Sequence, residues 1–572
     1  MPPEERVASS VGLSLLLIYL SSFLIFLLRL PAAVHGSILL VCAGMTFAVW
    51  RDLGRLLKDR EVRRLLLGFG VLAIWALALL SLIRNYSGDN WYGDWLEHYQ
   101  RSLFFLDRPD AGILFQGGYA VPARPPLMNV LCGHFMGVAG RNYAVYQLIS
   151  TLMSLLIYFP ASLLAKHFSR NRRANLCVLV TFLMFNPMVV QNVTYSWTKL
   201  LAAFYVLAGV YFYLRGWHEN KHSWTLMAFT SLSAGIVTHY SAGPYTLFLA
   251  IHYLLVVFPS RKARWAELSA IGLVALFVLG TWFGYSISSY GRGTVTSTTS
   301  YFEAAEFTAG QNVAKIAANI GDSVVPHLIR GVGVQGFGPG LFWGPIRDAA
   351  FKLYQFNLLF GLGSLGSILL VFGLLSMRKE SRRERSPERA FWPLFAFFCL
   401  VVGIAVQGER YDLGLTHITL QPLVLIGITF LAGRFCDWPI GVRWLAWSGL
   451  VIDLLFGIAL HFGFQCLTFG AHRAIPGRWG ITSRDLLVGS VWANWELKQK
   501  QGLIYLGDFL LPYAWAVESL AFGVSVAALA FLARQASNRL AAVDGSGQAA
   551  WKAEPQSPGV RKIRSRKRSR RT

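Results

Sequence analysis

Apolar runs of close to twenty residues recur along most of this 572-residue chain, each long enough to cross a bilayer as a helix. They fall near 9–28, 33–50, 65–84, 143–165, 174–190, 198–215, 223–241, 244–258, 266–288, 356–377, 391–407, 416–433, 443–463 and 512–534. The pattern predicts an all-α polytopic membrane protein with about fourteen transmembrane helices. It lacks the period-two alternation of barrel strands, which argues against a β-barrel. The first run is too long for the apolar region of a signal peptide and has no clear cleavage site after it, so it is expected to remain as the first helix.

Charge then orders the connections. Those at 51–64, 166–173, 260–264 and 378–389 are basic, and the last twelve residues hold eight Lys or Arg and no acid. An even number of spans puts both termini on the basic side, which the positive-inside rule makes cytoplasmic. The opposite connections are longer and less basic: 85–142, 289–355 and 464–511, with short turns near 186–197, 241–244 and 408–415. The expected setting is a bacterial inner membrane, with these loops on the periplasmic side and folding in part as interfacial helices. Composition agrees, with 54% hydrophobic and 14% charged residues, against roughly a quarter charged in a soluble domain. The net charge of +24 suits orientation and anionic lipid headgroups; no base-reading module is present, so nucleic acid is not an expected partner. Six cysteines show no paired or metal-ligand spacing and behave as small apolar residues.

The first long outer loop carries "GDNWYGDWLEHYQRSLFFL" (88–106). Helical spacing places Trp95, Tyr99, Leu103 and Leu106 on one face and Asp94, Glu97, His98 and Arg101 on another, as expected of a helix lying in the membrane interface. Other outer-facing polar groups are Arg124, then Asn186, Gln191, Asn192, Tyr195, Trp197 and Lys199, then His239 and Tyr240, and later Arg410 and Tyr411. Acids gather in the first loop, whereas cations and aromatics spread over the later ones. A carboxylate beside a hydroxyl can act as general base, and separate cations can hold a phosphate and stabilise it as it leaves.

Five short motifs follow in order: "GDWLEHY" (93–99), "ARPPL" (123–127), "FNPMVVQNVTYSW" (185–197), "THYSAGP" (238–244) and "RYDLGLTHITLQP" (410–422). Together they resemble the GT-C class of multi-spanning glycosyltransferases, which use lipid-phosphosugar donors and include protein O-mannosyltransferases and the lipid A aminoarabinose transferase. The chain departs from that class in three ways. Two helices, not one, precede the span leading to the acidic loop; His239 stands where the class carries a lysine; and no large C-terminal extracytoplasmic domain is present. The resemblance implies transfer of a sugar from a polyprenyl-phosphate carrier to a hydroxyl of a glycan, lipid or protein acceptor. It implies Asp94 as the base, with Glu97 as second choice or as an acceptor or metal ligand. Arg124, His239, Arg410 and Lys199 would meet the donor phosphate, with His98, Arg101, Tyr240 and Tyr411 in support. No cofactor is certain, and a divalent metal on Asp94 and Glu97 is left open. The implied organisation is an N-terminal helix pair (1–64), a GT-C-like catalytic module (65–434), C-terminal helices (435–534) and a disordered basic cytoplasmic tail (535–572).

Two other readings stay open. A lipid-linked oligosaccharide polymerase or ligase would use Arg and His in a late outer loop, where "AHRAIPGR" (471–478) lies. A secondary transporter or flippase would use intramembrane polar groups, but no internal repeat relates the two halves. The Gly-rich stretch 331–345 lacks the Lys-Ser/Thr of a P-loop. Asp453, inside the thirteenth segment, is expected to face protein and pair with a cation.

Overall fold

The computed structural model describes residues 1–86, 93–116, 118–169, 176–297, 309–325, 353–355, 357–381, 388–405, 416–457 and 490–537. Every regular element among them is helical. Each of the fourteen apolar segments carries helix, but they are not fourteen equal spans. Nine helices are long and apolar enough to cross a bilayer: Pro3–Leu27, Arg60–Leu82, Tyr143–Phe168, Lys199–Glu219, Tyr240–Ser260, Arg264–Val295, Thr419–Asp437, Ile440–Gly457 and Ala514–Ser537. Two bent pairs, Val34–Ala48 with Trp50–Lys58 (70°) and Leu176–Phe185 with Pro187–Thr194 (74°), bring the number to eleven at most among the described residues. The other three segments are short. His222–Thr238 has 17 residues, and the apolar parts of the helices Gly366–Ser381 and Glu388–Ala405 are Gly366–Ser376 and Ala390–Ile404. Fourteen full spans are thus not confirmed among the described residues.

The break at Asn186–Pro187 has a local cause. Pro187 fills the first position of its helix, where its missing N–H costs nothing, and it disfavours helical backbone at Asn186. Asn186 is extended and caps the new helix, its Oδ1 accepting from Val189 N at 3.0 Å. Its Nδ2 donates to Gly361 O at 2.8 Å.

Ion pairs sort the helix ends into two sets. Lys166 meets Glu4 (2.9 Å) and Glu61 (3.5 Å), Arg215 meets Glu5 (3.5 Å) and Glu219 (2.7 Å), and His167 and His218 flank Glu388 (3.1 and 3.0 Å). These residues come from the N-terminus and the connections that the basic pattern put on one face, so acids counter many of the cations there. The polar residues of the first long loop instead meet residues 196–199 and 239–241, at the other ends of the same helices. Asp453 faces protein, as expected for a costly intramembrane acid. Its partner is not a cation: Oδ1 accepts from Ser364 N (2.8 Å) and Ser364 Oγ (2.6 Å). A backbone amide and a hydroxyl satisfy the carboxyl without a second buried charge.

One continuous apolar core runs from Ala8 to Ala536. The last helix packs along Arg60–Leu82, and Trp75 Nε1 donates to Ser525 Oγ at 3.0 Å. The acidic stretch forms the helix Asp94–Asp107, but it does not lie exposed at an interface. Trp95, Leu106 and the polar face beyond Asp94 are enclosed, with Glu97 and Arg101 each 1% exposed. The polar face is turned inward because it has partners there.

Candidate active site

The acidic helix opens on Gly93, whose φ of +90° suits a residue without a Cβ. The next residue, Asp94, stays partly exposed, and its Oδ2 accepts from the indole Nε1 of Trp197 at 3.2 Å. The face of the same indole holds Lys199 Nζ 3.3 Å from its centroid, a cation–π contact. One turn further, Glu97 Oε1 accepts from Arg101 Nε at 2.7 Å and lies 3.6 Å from Arg124 Nε. Arg101 spends its other nitrogens on the carbonyls of Val121 (2.8 Å) and Ala120 (2.9 Å), which fixes the short turn that presents Arg124. The Arg124 guanidinium lies over the Tyr119 ring, 4.9 Å from its centroid.

The turn after His222–Thr238 closes the cluster. His239 Nδ1 accepts from Ser241 N at 3.1 Å and lies 2.9 Å from Ser241 Oγ. A backbone N–H can only donate, so the ring proton sits on Nε2. Tyr240 Oη donates to Pro122 O (3.2 Å) and accepts from Trp282 Nε1 (3.1 Å). Four separate stretches of chain, 94–101, 119–124, 196–199 and 239–241, thus supply one cluster.

The charges are not equivalent. Burial pushes the Asp94 carboxyl up to about 6, with the Glu97 charge adding to the rise, while Arg124, Lys199 and the Trp197 N–H pull the other way. Glu97 is also opposed by burial, yet Arg124 and Arg101 outweigh it and hold this carboxyl below its ordinary value. Burial brings His98 down to about 3. His239 also lies well below its ordinary value, first through burial and then through Arg124 and Lys199. Both imidazoles are therefore neutral at pH 7, and His239 offers an N–H rather than a charge.

The sequence-predicted residues Asp94, Glu97, His98, Arg101, Arg124, Lys199, His239 and Tyr240 come together here. Arg410 and Tyr411 lie outside the described residues. Glu97 is already engaged by two guanidiniums, and no group of three His, Cys, Asp or Glu side chains among the described residues is arranged to hold a metal ion. Trp197, which joins Asp94 to Lys199, was visible only as one aromatic in a polar turn; its spacing two residues before Lys199 was the available signal.

The fold and the cluster define an integral, multi-pass membrane protein with a buried acid–cation site at one end of its helices. No family model matches the chain, and no curated protein matches it. Among solved structures it is similar to two crystal structures of ArnT from Cupriavidus metallidurans. The form bound to undecaprenyl phosphate is 14% identical, with 86% of this chain and 80% of that chain covered and a TM-score of 0.44. The apo form is 16% identical, with 84% and 78% covered and a TM-score of 0.43.

Proposed function

We propose that this protein is a membrane glycosyltransferase that moves a sugar from a polyprenyl-phosphate carrier to an acceptor hydroxyl, at the extracytoplasmic end of the bundle. One observation carries the reading: a partly exposed carboxylate, Asp94, stands with Lys199 and Arg124 in one largely buried polar cluster. The order of the five sequence motifs supports the same donor class. Glu97 is not the base in this scheme, because Arg101 and Arg124 hold its charge. It anchors Arg124.

The acceptor oxygen attacks the anomeric carbon as the bond from that carbon to the phosphate oxygen breaks. The electron pair of that bond leaves with the polyprenyl phosphate, whose charge is met by Arg124, Lys199 and the Nε2–H of His239. The acceptor proton passes to Asp94. The ion-paired basic connections lie at the other ends of these helices, which makes the Asp94 end the extracytoplasmic one under the positive-inside rule.

The test is turnover of a panel of polyprenyl-phosphate hexoses and pentoses in membranes carrying the protein, scored as release of polyprenyl phosphate. The wild type consumes at least one of them; consumption of none overturns the reading. On the active donor, Lys199→Met lowers kcat/KM by about 10²- to 10³-fold, the scale for removing one group that stabilises a leaving charge. Unchanged kinetics in this variant would take Lys199 off the donor phosphate.

A further inference from the structure

The start of the acidic helix is held by a side chain 401 positions away. Asn494, on the helix Ser490–Lys500, is completely buried. Its Oδ1 accepts from Gly93 N at 3.0 Å and from Trp95 Nε1 at 2.7 Å. Its Nδ2 donates to Tyr86 O at 3.2 Å. The two accepted bonds fall on the residues immediately before and after Asp94.

Neighbouring contacts brace this arrangement. A Cβ on Gly93 would stand 3.0 Å from Gln116 Cγ and 3.3 Å from Leu497 Cδ1, so the late helix closes directly over that glycine. One turn beyond Asn494, Lys498 Nζ donates to Arg84 O at 2.7 Å and pairs with Asp508 at 2.7 Å. Leu506 N donates to Gln147 Oε1 at 2.9 Å, and Gln147 Nε2 donates to Tyr86 Oη at 2.7 Å. The Tyr505 ring sits 5.5 Å from that of Trp95 and 4.8 Å from that of Tyr143.

The first turn of a helix has amides without intrahelical partners and frays unless something holds it. Gly93 has no side chain to cap the acidic helix, and its own amide is one of these groups, satisfied by Asn494 from elsewhere in the chain. We propose that Asn494 is a positioning residue for Asp94. By fixing the Gly93 amide and the Trp95 indole together, it sets the rotation of the first helical turn and so aims the Asp94 carboxyl at Trp197. The inference rests on the reading of Asp94 as the base. It adds that the late segment of the chain belongs to the catalytic assembly.

The experiment uses the full chain in lipid nanodiscs with Asn494→Leu and Asn494→Asp. Turnover on the active polyprenyl-phosphate sugar is one readout. The other is covalent labelling of Asp94 by a hydrophobic carbodiimide, which reacts with protonated carboxyls, mapped by peptide mass spectrometry. Asn494→Leu is expected to lower kcat by about 10- to 100-fold with KM within about twofold, as for a misaimed catalytic group. Asp94 labelling rises severalfold in that variant. Asn494→Asp, neutral in this buried position, keeps an oxygen that can accept both N–H groups and an O–H that can donate to Tyr86 O, and it restores most of kcat and the low labelling. Should Asn494→Leu fail to fold, Trp95→Phe, which removes one of the two accepted bonds and keeps an aromatic ring, is read in the same way. Wild-type labelling and kcat in these variants overturn the proposal, as does equal damage from Leu and Asp at position 494. If the wild type consumes no polyprenyl-phosphate sugar, the functional reading falls, and the labelling alone decides for or against Asn494.

Discussion

Asp94→Asn lowers kcat by about 10²- to 10⁴-fold, the usual contribution of a positioned general base, and leaves the protein folded. Asparagine keeps the shape and can still accept from the Trp197 indole, which contacts Oδ2 at 3.2 Å, so the loss isolates the proton-accepting step. The wild-type pH profile carries the same information. Burial raises this carboxyl to about 6, and the base works only when ionised. Activity is therefore full above that value and is lost as pH falls through it. A kcat/KM profile measured from about pH 4.5 to 8 should show this acid limb. The residual activity of Asp94→Asn should lack it. An active Asp94→Asn enzyme, or a wild-type profile flat through pH 6, would remove Asp94 from the mechanism.

Glu97→Gln is expected to act mainly on stability. Glu97 and Arg101 have side chains 1% and 2% exposed and approach to 2.7 Å. Arg124 reaches the same carboxyl oxygen at 3.6 Å. Removing the one anion leaves the buried guanidinium of Arg101 without its countercharge, at a cost of about 3–5 kcal/mol. Thermal unfolding in detergent should show a marked drop in midpoint, and the fall in activity should follow the loss of folded protein. The double variant Glu97→Gln/Arg101→Gln should recover part of the stability, because it removes both members of the pair. A Glu97→Gln protein as stable as wild type but without turnover would make Glu97 a reacting group and reverse the roles assigned to the two acids.

The parts of this protein that were legible in its sequence are those written in local patterns. Apolar length located the helices, and the i, i+3, i+4, i+7 spacing put Glu97, His98 and Arg101 on one face of the acidic helix. The sidedness of the basic connections separated Lys166 and Arg215 from Asp94 and Lys199, and the ion pairs keep those sets apart. What periodicity could not show was whether a polar face meets water or protein. The Glu97 face meets Arg124 and the carbonyls of Ala120 and Val121, a fact of tertiary packing. A run of apolar letters likewise does not register the 74° bend at Asn186–Pro187. Asn494 had no signal at all, since its partners lie some four hundred residues earlier and two of the three are backbone atoms.

The shortness of His222–Thr238 bears on where the chemistry sits relative to the lipid. Seventeen residues rise about 25 Å, roughly 5 Å less than a typical hydrocarbon core is thick. The turn with His239 and Tyr240 follows at once, so a helix starting at one headgroup plane delivers these side chains before it reaches the other. Where the bilayer keeps its full thickness, the phosphate of the proposed carrier has to descend to meet the turn. On the proposed function, the leaving group then separates from its sugar at a depth where water is scarce, and the membrane itself supplies the dry medium that a soluble enzyme would have to make by closing a lid.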